Sequence, residues 1–531
     1  MFFKNLNLKE HYLFSIIITI YFFLNIYQLN FQHWSGMMDH DFYILYNSLL
    51  VSSGLEQEGR DHPAFTTFFI HGFVFKIVSL FQNSFSSNID EILNSNKIDE
   101  TLQFYFNVSR VTNFFINLFL FLAFLKLLNI LKLSKKITFF IGLSFLISGW
   151  YSLSFFALRS ENLSLLFFIL SMIFLAFESD IKEKNFLLSG VFFLLAMFTK
   201  IQIILFFPYL IFLMSTLNYK SNFLEKKFLF FKIKKSSLIF FLFLFFFVYL
   251  AFQIKIQEFP RFEKNKYLDL FIFTMAIISI FLYFYVLSKN KINLVSEKLY
   301  IFSIFVIGFV FCLSLLILLD ILNIVPVNDY IYLRVSNPIH YLSEFEAVYA
   351  DGSINLKFIL SLIYEIFSGY RQNLVELILL IILITFIWKD HFTKKKIDLI
   401  KVISLFVIFI FITLINGLRP IIYYHSYYTF CFLLIYAVSL DYFREGYFKF
   451  FSTIIVLIFL SNNYYLKSFV QSSKNSYINI FERKNLIVET CKEYRTGIKS
   501  KFNDASLFYL KYWHSKFDDK TINLLCKELE I

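Results

Sequence analysis

Two aspartates near the start of the chain are the residues best suited to chemistry. Asp39 and Asp41 flank a histidine in SGMMDHDFYILYNSLLVSSG, directly after the first apolar segment. The apolar residues behind them recur at helical spacing: Phe42, Leu45, Leu49 and Leu50. This pattern predicts an amphipathic helix that holds both carboxylates at its N-terminal end. There a carboxylate can act as general base or bind a divalent cation, unless both are simply solvated loop acids.

The same polar segment closes with RDHPAF, which contains His62. An imidazole at this position can bind a phosphate or orient an acceptor molecule. The alternative interpretation is a turn, in which Pro63 begins the next helix. The place of His62, at the end of the segment that Asp39 and Asp41 open, favours a shared site.

Further charged residues lie where apolar segments meet. FALRSENLSLLFF places Arg159 and Glu161 at a very short turn between two predicted spans, and FTKIQIILFFPYL places Lys200 between two more. We expect the first pair to line a polar cavity, although an exposed hairpin with its own ion pair would give the same pattern. Lys200 either reaches lipid headgroups or binds an anionic group, such as the phosphate of a lipid-linked substrate.

A late turn, NGLRPIIYYHSYYTF, gathers Arg419, Tyr423 and His425. An aromatic belt at a membrane surface accounts for the tyrosines, including Tyr424 and Tyr427. It does not account for Arg419 and His425, which predict an anion site. The sequence contains no P-loop, no GxGxxG, no GxSxG and no Cys/His zinc spacing in a suitable context. Nucleotide-driven enzymes and soluble hydrolases therefore lack support.

Composition predicts the elements that must position these residues. Of 531 residues, 58% are hydrophobic and 17% are charged, whereas soluble domains carry about a quarter charged residues. The sequence therefore predicts an all-α polytopic membrane protein. Thirteen apolar segments are candidate spans: 12–29, 104–125, 137–157, 161–177, 186–199, 202–217, 238–254, 268–287, 300–322, 374–388, 402–418, 426–441 and 450–466.

Lysine-rich connections predict the orientation of the spans. They fall on one side if the N-terminus is cytoplasmic, and they lie at 126–136, 178–185, 219–235, 288–298 and 389–401. The connections 30–103 and 323–373 then form two large outer loops, and the polar segment 467–531 is a small periplasmic part. Cys491 and Cys526 can pair there if that segment is extracytoplasmic.

Ala64–Phe81 is long enough to cross a membrane, but a span at this point would turn most of the lysines outward. We therefore predict an interfacial helix, with His71 and Lys76 on its wetter side. A second interfacial helix is predicted at Leu356–Gly369 in the other outer loop.

The motifs, in this order and on one side, resemble the GT-C superfamily of integral-membrane glycosyltransferases. The similarity is greatest to the branch with protein O-mannosyltransferases and the aminoarabinose transferase of lipid A. In that branch an outer loop opens with an acidic pair, continues through a short helix ending near glycine, and closes with His-Pro-Pro. The matching residues are Asp39, Asp41, Tyr43, Gly54, His62 and Pro63, then Thr199, Lys200, Pro208 and the cluster from Arg419 to Tyr427. The departures are the separated aspartates and Ala64 in place of the second proline.

The resemblance implies a GT-C-like bundle of about 13 transmembrane helices over residues 1–466, with interfacial helices in two large outer loops. It also implies transfer of a sugar from a polyprenyl-phosphate donor to a lipid, glycan or protein acceptor. The reaction would take place at the outer face of the bacterial cytoplasmic membrane, with inversion. Asp39 or Asp41 would be the base. The implied substrate-binding residues are His62, Arg159, Glu161, Lys200, Arg419, Tyr423 and His425.

Other functions stay open at this point. An O-antigen ligase or polymerase would depend on Arg419 and His425 rather than on the early aspartates. A flippase for lipid-linked sugars would carry ionisable residues at the middle of its spans. Membrane lipids are expected partners and nucleic acid is not. A divalent cation at Asp39, Asp41 and His62 is allowed but not required.

Overall fold

The computed structural model describes residues 41–57, 64–82, 84–93, 98–131, 133–148, 151, 158–176, 182–207, 210, 294–327, 378–379, 381–383, 385, 425–441 and 447–461. Within these ranges the chain forms helices and no strand, so the fold class is all-α. The helices are α1 (Asp41–Ser52), α2 (Phe65–Phe81), α3 (Ile89–Leu93), α4 (Ile98–Ile130), α5 (Lys135–Ile147), α6 (Ser160–Ala176), α7 (Lys182–Thr199), the 3₁₀ helix Ile201–Phe206, α8 (Leu294–Ile321), α9 (His425–Leu440) and α10 (Tyr447–Ser461).

Two described segments, Glu100–Ile130 and Ile301–Ile321, are long and apolar enough to cross a membrane. Five shorter apolar helices accompany them: Phe65–Phe81, Ser160–Ala176, Lys184–Thr199, Thr429–Leu440 and Tyr447–Ser461. The predicted spans 12–29, 238–254, 268–287 and 402–418 lie outside the described residues, as do the helix at Leu356–Gly369 and the segment 467–531. Thirteen spans therefore stay a prediction.

Two predicted spans differ from the helices that form. The segment 137–157 contains α5, which ends at Ile147 because Ser148 adopts an extended conformation (ψ 136°). The segment 202–217 begins as a 3₁₀ helix rather than an α-helix. Hydropathy averages over a window and does not register such local changes in backbone geometry.

The buried apolar residues form two separate clusters. We call the smaller one, with its helices, the cap: it comprises α1, α2, α3 and the part of α4 up to Phe106. We call the larger one the bundle: it comprises the rest of α4 and α5 to α10. The core of the cap consists of Ile44, Leu45, Tyr46, Leu49, Leu50, Ala64, Phe68, Phe75, Ile89, Ile92, Leu102, Tyr105, Phe106 and Leu158.

Helix α4 passes through both parts, and its exposed face changes character along its length. In the cap this face carries polar residues, Glu100 and Asn107. In the bundle it carries Val111, Phe115, Phe119 and Leu122, each 39% to 55% exposed. The opposite face, with Arg110, Asn113 and Asn117, is at most 2% exposed. From Val111 to its end the helix is about 30 Å long, the thickness of a bilayer core.

Bundle helices approach each other where side chains are smallest. A Cβ atom at Gly190 of α7 would lie 2.0 Å from the carbonyl oxygen of Phe305, and one at Gly308 of α8 would lie 2.0 Å from that of Leu187. Ser171 of α6 and Ser189 of α7 each donate a hydrogen bond to the other's carbonyl oxygen at 2.8 Å. Small residues and buried hydroxyls at helix crossings are common in membrane bundles.

Helix α1, whose first described residue is Asp41, ends just before Gly54, as predicted. Gly54 has φ 75°, the left-handed conformation that glycine adopts without strain. The N–H of Gly54 bonds to the carbonyl of Val51, and the N–H of Leu55 to that of Leu50. These two bonds form a Schellman motif, which stops the helix.

The amphipathic pattern predicts that one face of α1 meets water, and this prediction is wrong for the described side chains. Every described side chain from Ile44 to Leu50 is buried, including Asn47 and Ser48. The apolar positions do face a core, but α2 covers the other side: Gly72 approaches so closely that a Cβ atom there would lie 2.6 Å from the carbonyl oxygen of Ser48. Helix α2 therefore covers the face of α1 that was expected to meet water.

The prediction that His71 lies on the wetter side of α2 is also wrong. His71 is 1% exposed, and the exposed side chains of α2 are Phe73, Lys76, Ile77, Leu80 and Phe81. Thr67 and His71 point inward because α1 and α4 pack against that face, and apart from Lys76 the exposed side chains of α2 are apolar. The Phe75 ring packs against the Tyr105 ring, with 4.8 Å between the centroids and 52° between the ring planes, which places α2 beside the cap part of α4. That position agrees with an interfacial helix, which stays our prediction.

Candidate functional site

The charged residues predicted at two separate turns meet in one place. Lys200 Nζ lies 3.0 Å from Glu161 Oε1, and the two side chains are only 6% and 4% exposed. Arg159 is 4% exposed and close enough for its charge to act on the Glu161 carboxylate. We call Arg159, Glu161 and Lys200 the junction, because they lie where the cap and the bundle meet.

The register of α6 against α7 brings these residues together. The two helices are antiparallel: Ser171 pairs with Ser189, and Ser164 Oγ donates to the carbonyl of Ala196 at 3.1 Å. The same register, continued to the start of α6, places Glu161 opposite the end of α7, where Lys200 stands in extended backbone before the 3₁₀ helix. The alternative of an exposed hairpin with its own ion pair is therefore wrong.

Only one of the two oxygens of the Glu161 carboxylate in the junction has a partner among the described residues. Glu161 Oε1 binds Lys200, whereas Oε2 is buried with no hydrogen-bond partner in the described parts of the chain. Glu161 lies in the first turn of α6, where the helix dipole favours a negative charge. Two cationic side chains thus surround one fixed carboxylate in a site with little water.

An amide network next to the junction was missed by sequence reasoning. Asn162 Nδ2 donates to Asn117 Oδ1, and the Tyr151 hydroxyl donates to the Asn117 carbonyl at 2.5 Å. Both asparagines are at most 1% exposed. The available signal was the spacing of Arg110, Asn113 and Asn117, which puts three polar residues on one face of an apolar helix.

The early acidic segment approaches the same region. The Asp41 backbone is the first described part of α1; its side chain, Asp39 and His62 lie outside what the structure describes. Their close neighbours Ile44 and Ala64 belong to the same apolar cluster as Leu158, the residue before Arg159. Three of the predicted motifs therefore lead into one cap core.

The directions of α1 and α2 agree with this convergence. Ser52 at the end of α1 donates to the Ser87 carbonyl at 2.7 Å, and the Ser87 hydroxyl donates to Ser79 near the end of α2 at 3.1 Å. Because both C-terminal ends meet at Ser87, both helices begin at the other end of the cap. There α2 contacts α7: Thr66 donates to the Leu195 carbonyl at 3.3 Å.

The late turn contributes the start of α9. His425 is the first residue of that helix that the structure describes, whereas Arg419 and Tyr423 lie outside the described ranges. The Tyr427 ring packs on Phe206 at 5.4 Å, in the 3₁₀ helix that begins next to Lys200. Phe430 packs on Phe168 of α6 at 6.1 Å. The late turn therefore leads into a helix that packs beside α6 and the segment after Lys200.

A cation site is not visible in the described part of the chain, where no three His, Cys, Asp or Glu side chains come together. Asp39 and His62, two of the predicted ligands, fall outside it. The two cysteines that the structure describes, Cys312 and Cys431, are buried and form no disulfide bond.

Comparison with known proteins gives no match: no family model, no curated protein and no solved structure is similar to this chain. The resemblance to GT-C transferases therefore stays a prediction based on the motifs.

Proposed function

We propose that this protein is an integral-membrane glycosyltransferase that moves a sugar from a polyprenyl-phosphate donor to a lipid, glycan or protein hydroxyl. The observation that carries the proposal is the junction, with two cations around one carboxylate, buried where the cap meets the bundle. A buried group of this composition suits a ligand that brings its own negative charge, and phosphate is such a ligand.

Membrane insertion is part of the proposal. Helix α4 buries Arg110, Asn113 and Asn117 and exposes Val111, Phe115, Phe119 and Leu122. A helix in water arranges its faces in the opposite way. Lipid favours an apolar outer face, and polar residues inside it must find partners within the protein. We propose the bacterial cytoplasmic membrane as the location, with the cap on its outer side.

The reaction would be a single displacement. The acceptor oxygen attacks the anomeric carbon, the bond from that carbon to the phosphate oxygen breaks, and the acceptor proton passes to Asp39 or Asp41. The leaving lipid phosphate keeps the bonding electrons, and Arg159 and Lys200 stabilise its charge. Glu161 holds Lys200 in position without taking part in bond changes. One displacement inverts the configuration at the anomeric carbon.

Mass spectrometry of surface lipids and glycans, from cells with and without the protein, tests this proposal. We expect one product to lose one sugar unit without the protein and to regain it when the wild-type chain is supplied. The double variant Asp39→Asn/Asp41→Asn should fail to restore the product. Asp90→Asn, an exposed acid of α3, should restore it fully.

Two results would refute the proposal: surface molecules that do not change, or a double aspartate variant that restores the sugar as well as Asp90→Asn does. A third result would favour the ligase alternative. It would be a product lost with substitutions at Arg419 and His425 but kept with the aspartate variants.

A further inference from the structure

The carboxylate of the junction lies in the first turn of α6, the part of a helix that the backbone holds least. Helix α6 begins at Ser160, and Glu161 and Asn162 follow. The first four N–H groups of an α-helix have no acceptor within the helix, so side-chain contacts decide where the first turn lies. The position of the Glu161 carboxylate therefore depends on what holds the residues next to it.

Asn162 connects this turn to α4. Its side-chain Nδ2 donates a hydrogen bond to Asn117 Oδ1, and both residues are at most 1% exposed. The Tyr151 hydroxyl donates to the carbonyl oxygen of the same Asn117 at 2.5 Å. Asn117 thus joins α4, the first turn of α6 and the segment that contains Tyr151. A buried hydrogen bond of this kind is costly to break, because each polar group then stays buried without its partner.

The other partner of the ion pair is fixed to α6 by a separate contact. The Ala196 carbonyl of α7 accepts a hydrogen bond from Ser164 Oγ at 3.1 Å and one from the backbone N–H of Lys200 at 2.8 Å. The backbone of Lys200 is therefore fixed to α6 one turn beyond Glu161. The bond of Asn162 to α4 holds the turn that carries Glu161 itself.

We propose that Asn117 is a positioning residue for the junction. It holds Asn162, and through Asn162 the first turn of α6, so that Glu161 Oε1 stays 3.0 Å from Lys200 Nζ. The effect on this ion pair does not depend on the transferase activity. The further effect on a bound phosphate rests on the proposed function, because the same turn sets where the cations of the junction stand.

A double-mutant cycle, measured by thermal melting of the full-length protein in nanodiscs, tests the effect on the ion pair. It compares the fall in melting temperature that Lys200→Met causes in the wild type with the fall that it causes in Asn117→Leu. Leucine is similar to asparagine in size but has no amide. We expect the fall in Asn117→Leu to be at most about half of that in the wild type, because the Glu161 carboxylate has already lost its fixed place.

Two further variants make the cycle specific. Asn162→Ala breaks the same hydrogen bond from the other side and should reduce the effect of Lys200→Met in the same way, so it carries the test even if Asn117→Leu does not fold. Asn185→Leu is the matched control, because Asn185 is a buried amide at the other end of α7 from Lys200. In Asn185→Leu, Lys200→Met should lower the melting temperature as much as in the wild type.

Lipid binding gives a second measurement, which a purely structural role of Asn117 would not change. The probes are a polyprenyl monophosphate and the matching polyprenol, and the measured quantity is the ratio of their affinities. We expect Asn117→Leu to lower the preference for the phosphate by about threefold or more, the effect of one weakened hydrogen bond. Asn185→Leu should keep the preference of the wild type.

Two outcomes would overturn the proposal. One is an equal fall in melting temperature for Lys200→Met in the wild type, in Asn117→Leu and in Asn162→Ala. The other is a preference for the phosphate that Asn117→Leu leaves unchanged. A wild type without any preference for the phosphate would refute the proposed function instead, and the melting cycle would still decide whether Asn117 positions the ion pair.

Discussion

In the bundle, the closest described helix crossings lie at glycines and serines. In the cap, Gly72 makes one such crossing, and hydroxyl groups also connect the helix ends to the loop after α2. Gly190, Gly308, Ser171 and Ser189 make the bundle contacts. In the cap, Ser87 connects the ends of α1 and α2, and the Tyr105 hydroxyl donates to the Phe85 carbonyl at 2.9 Å.

This difference follows from what each part faces. The described part of the bundle exposes apolar side chains. In the membrane location that we propose, exclusion of water would not drive its helices together, and close contact must do so. The cap exposes polar residues on α3 and at the start of α4 but apolar ones on α2, which fits a layer between water and lipid. In the function that we propose, the junction lies between these two environments and receives a lipid-bound phosphate.

The largest expected effect is at the junction. Lys200→Met removes the cation that lies 3.0 Å from the buried Glu161 carboxylate and leaves only Arg159 near it, so we expect the free energy of unfolding to fall by about 3 kcal/mol, the low end for a broken buried pair. Thermal melting in detergent or nanodiscs measures it. Lys76→Met, an exposed lysine of the cap, should change stability by less than about 0.5 kcal/mol. Glu161→Gln/Lys200→Met should not recover the loss, because Arg159 stays buried after the Glu161 carboxylate is removed. Equal effects of the two single lysine variants would contradict a buried pair.

The glycine contacts compare bundle and cap directly. Gly190→Ala would place a Cβ atom 2.0 Å from a carbonyl oxygen of α8, whereas Gly72→Ala would place one 2.6 Å from a carbonyl oxygen of α1. We expect Gly190→Ala to lower the free energy of unfolding by about 2–3 kcal/mol and Gly72→Ala by about 1 kcal/mol, after the gain in helix propensity is included. Melting of both variants tests the order. A more harmful Gly72→Ala would mean that the tighter crossing lies in the cap.

Acidic pH should act on the cap through His71. Burial lowers the pKa of His71 to about 4, so the folded protein leaves it neutral while the unfolded chain protonates it below its ordinary value of 6.5. The contribution of His71 to stability is present above pH 6.5 and is lost as the pH falls toward 4. Between pH 7 and pH 5 the loss is about 2 kcal/mol. His71→Phe should melt with a correspondingly flatter pH dependence than the wild type. An unchanged slope would mean that His71 titrates normally.

The smallest effect is expected at the serine pair of the bundle. Ser171→Ala removes a hydrogen bond to another helix, so we expect a loss of about 1 kcal/mol. Ser144→Ala removes a bond to the Phe140 carbonyl of the same helix, which keeps its backbone partner, and should cost less. Melting curves of the two variants decide the order, and a costlier Ser144→Ala would contradict a bundle held through helix contacts.

Local patterns predicted several helix ends. The end of α1 before Gly54 follows from capping chemistry. The start of α6 and the end of α7 lie within one residue of the predicted spans, because polar residues interrupt the apolar runs there. The predictions failed where the answer depended on a partner distant in sequence.

The faces of α1 and α2 illustrate that failure. A pattern of apolar residues identifies one buried face but cannot tell whether the other meets water, lipid or a second helix, and His71 was therefore assigned to the wrong side. The pairing of Glu161 with Lys200 and of Asn162 with Asn117 depends on the register between helices. No single segment of sequence contains that register.

The most direct measurement compares two lipids that differ by one group. Binding of a polyprenyl monophosphate and of the matching polyprenol to the protein in nanodiscs tests whether the junction holds a lipid phosphate. We expect the phosphate to bind the wild type at least about tenfold more tightly, the ratio for one charge-assisted hydrogen bond. In the folded variant Arg159→Gln/Glu161→Gln/Lys200→Gln that preference should fall toward unity. Equal binding of the phosphate and the alcohol to the wild type would contradict the account.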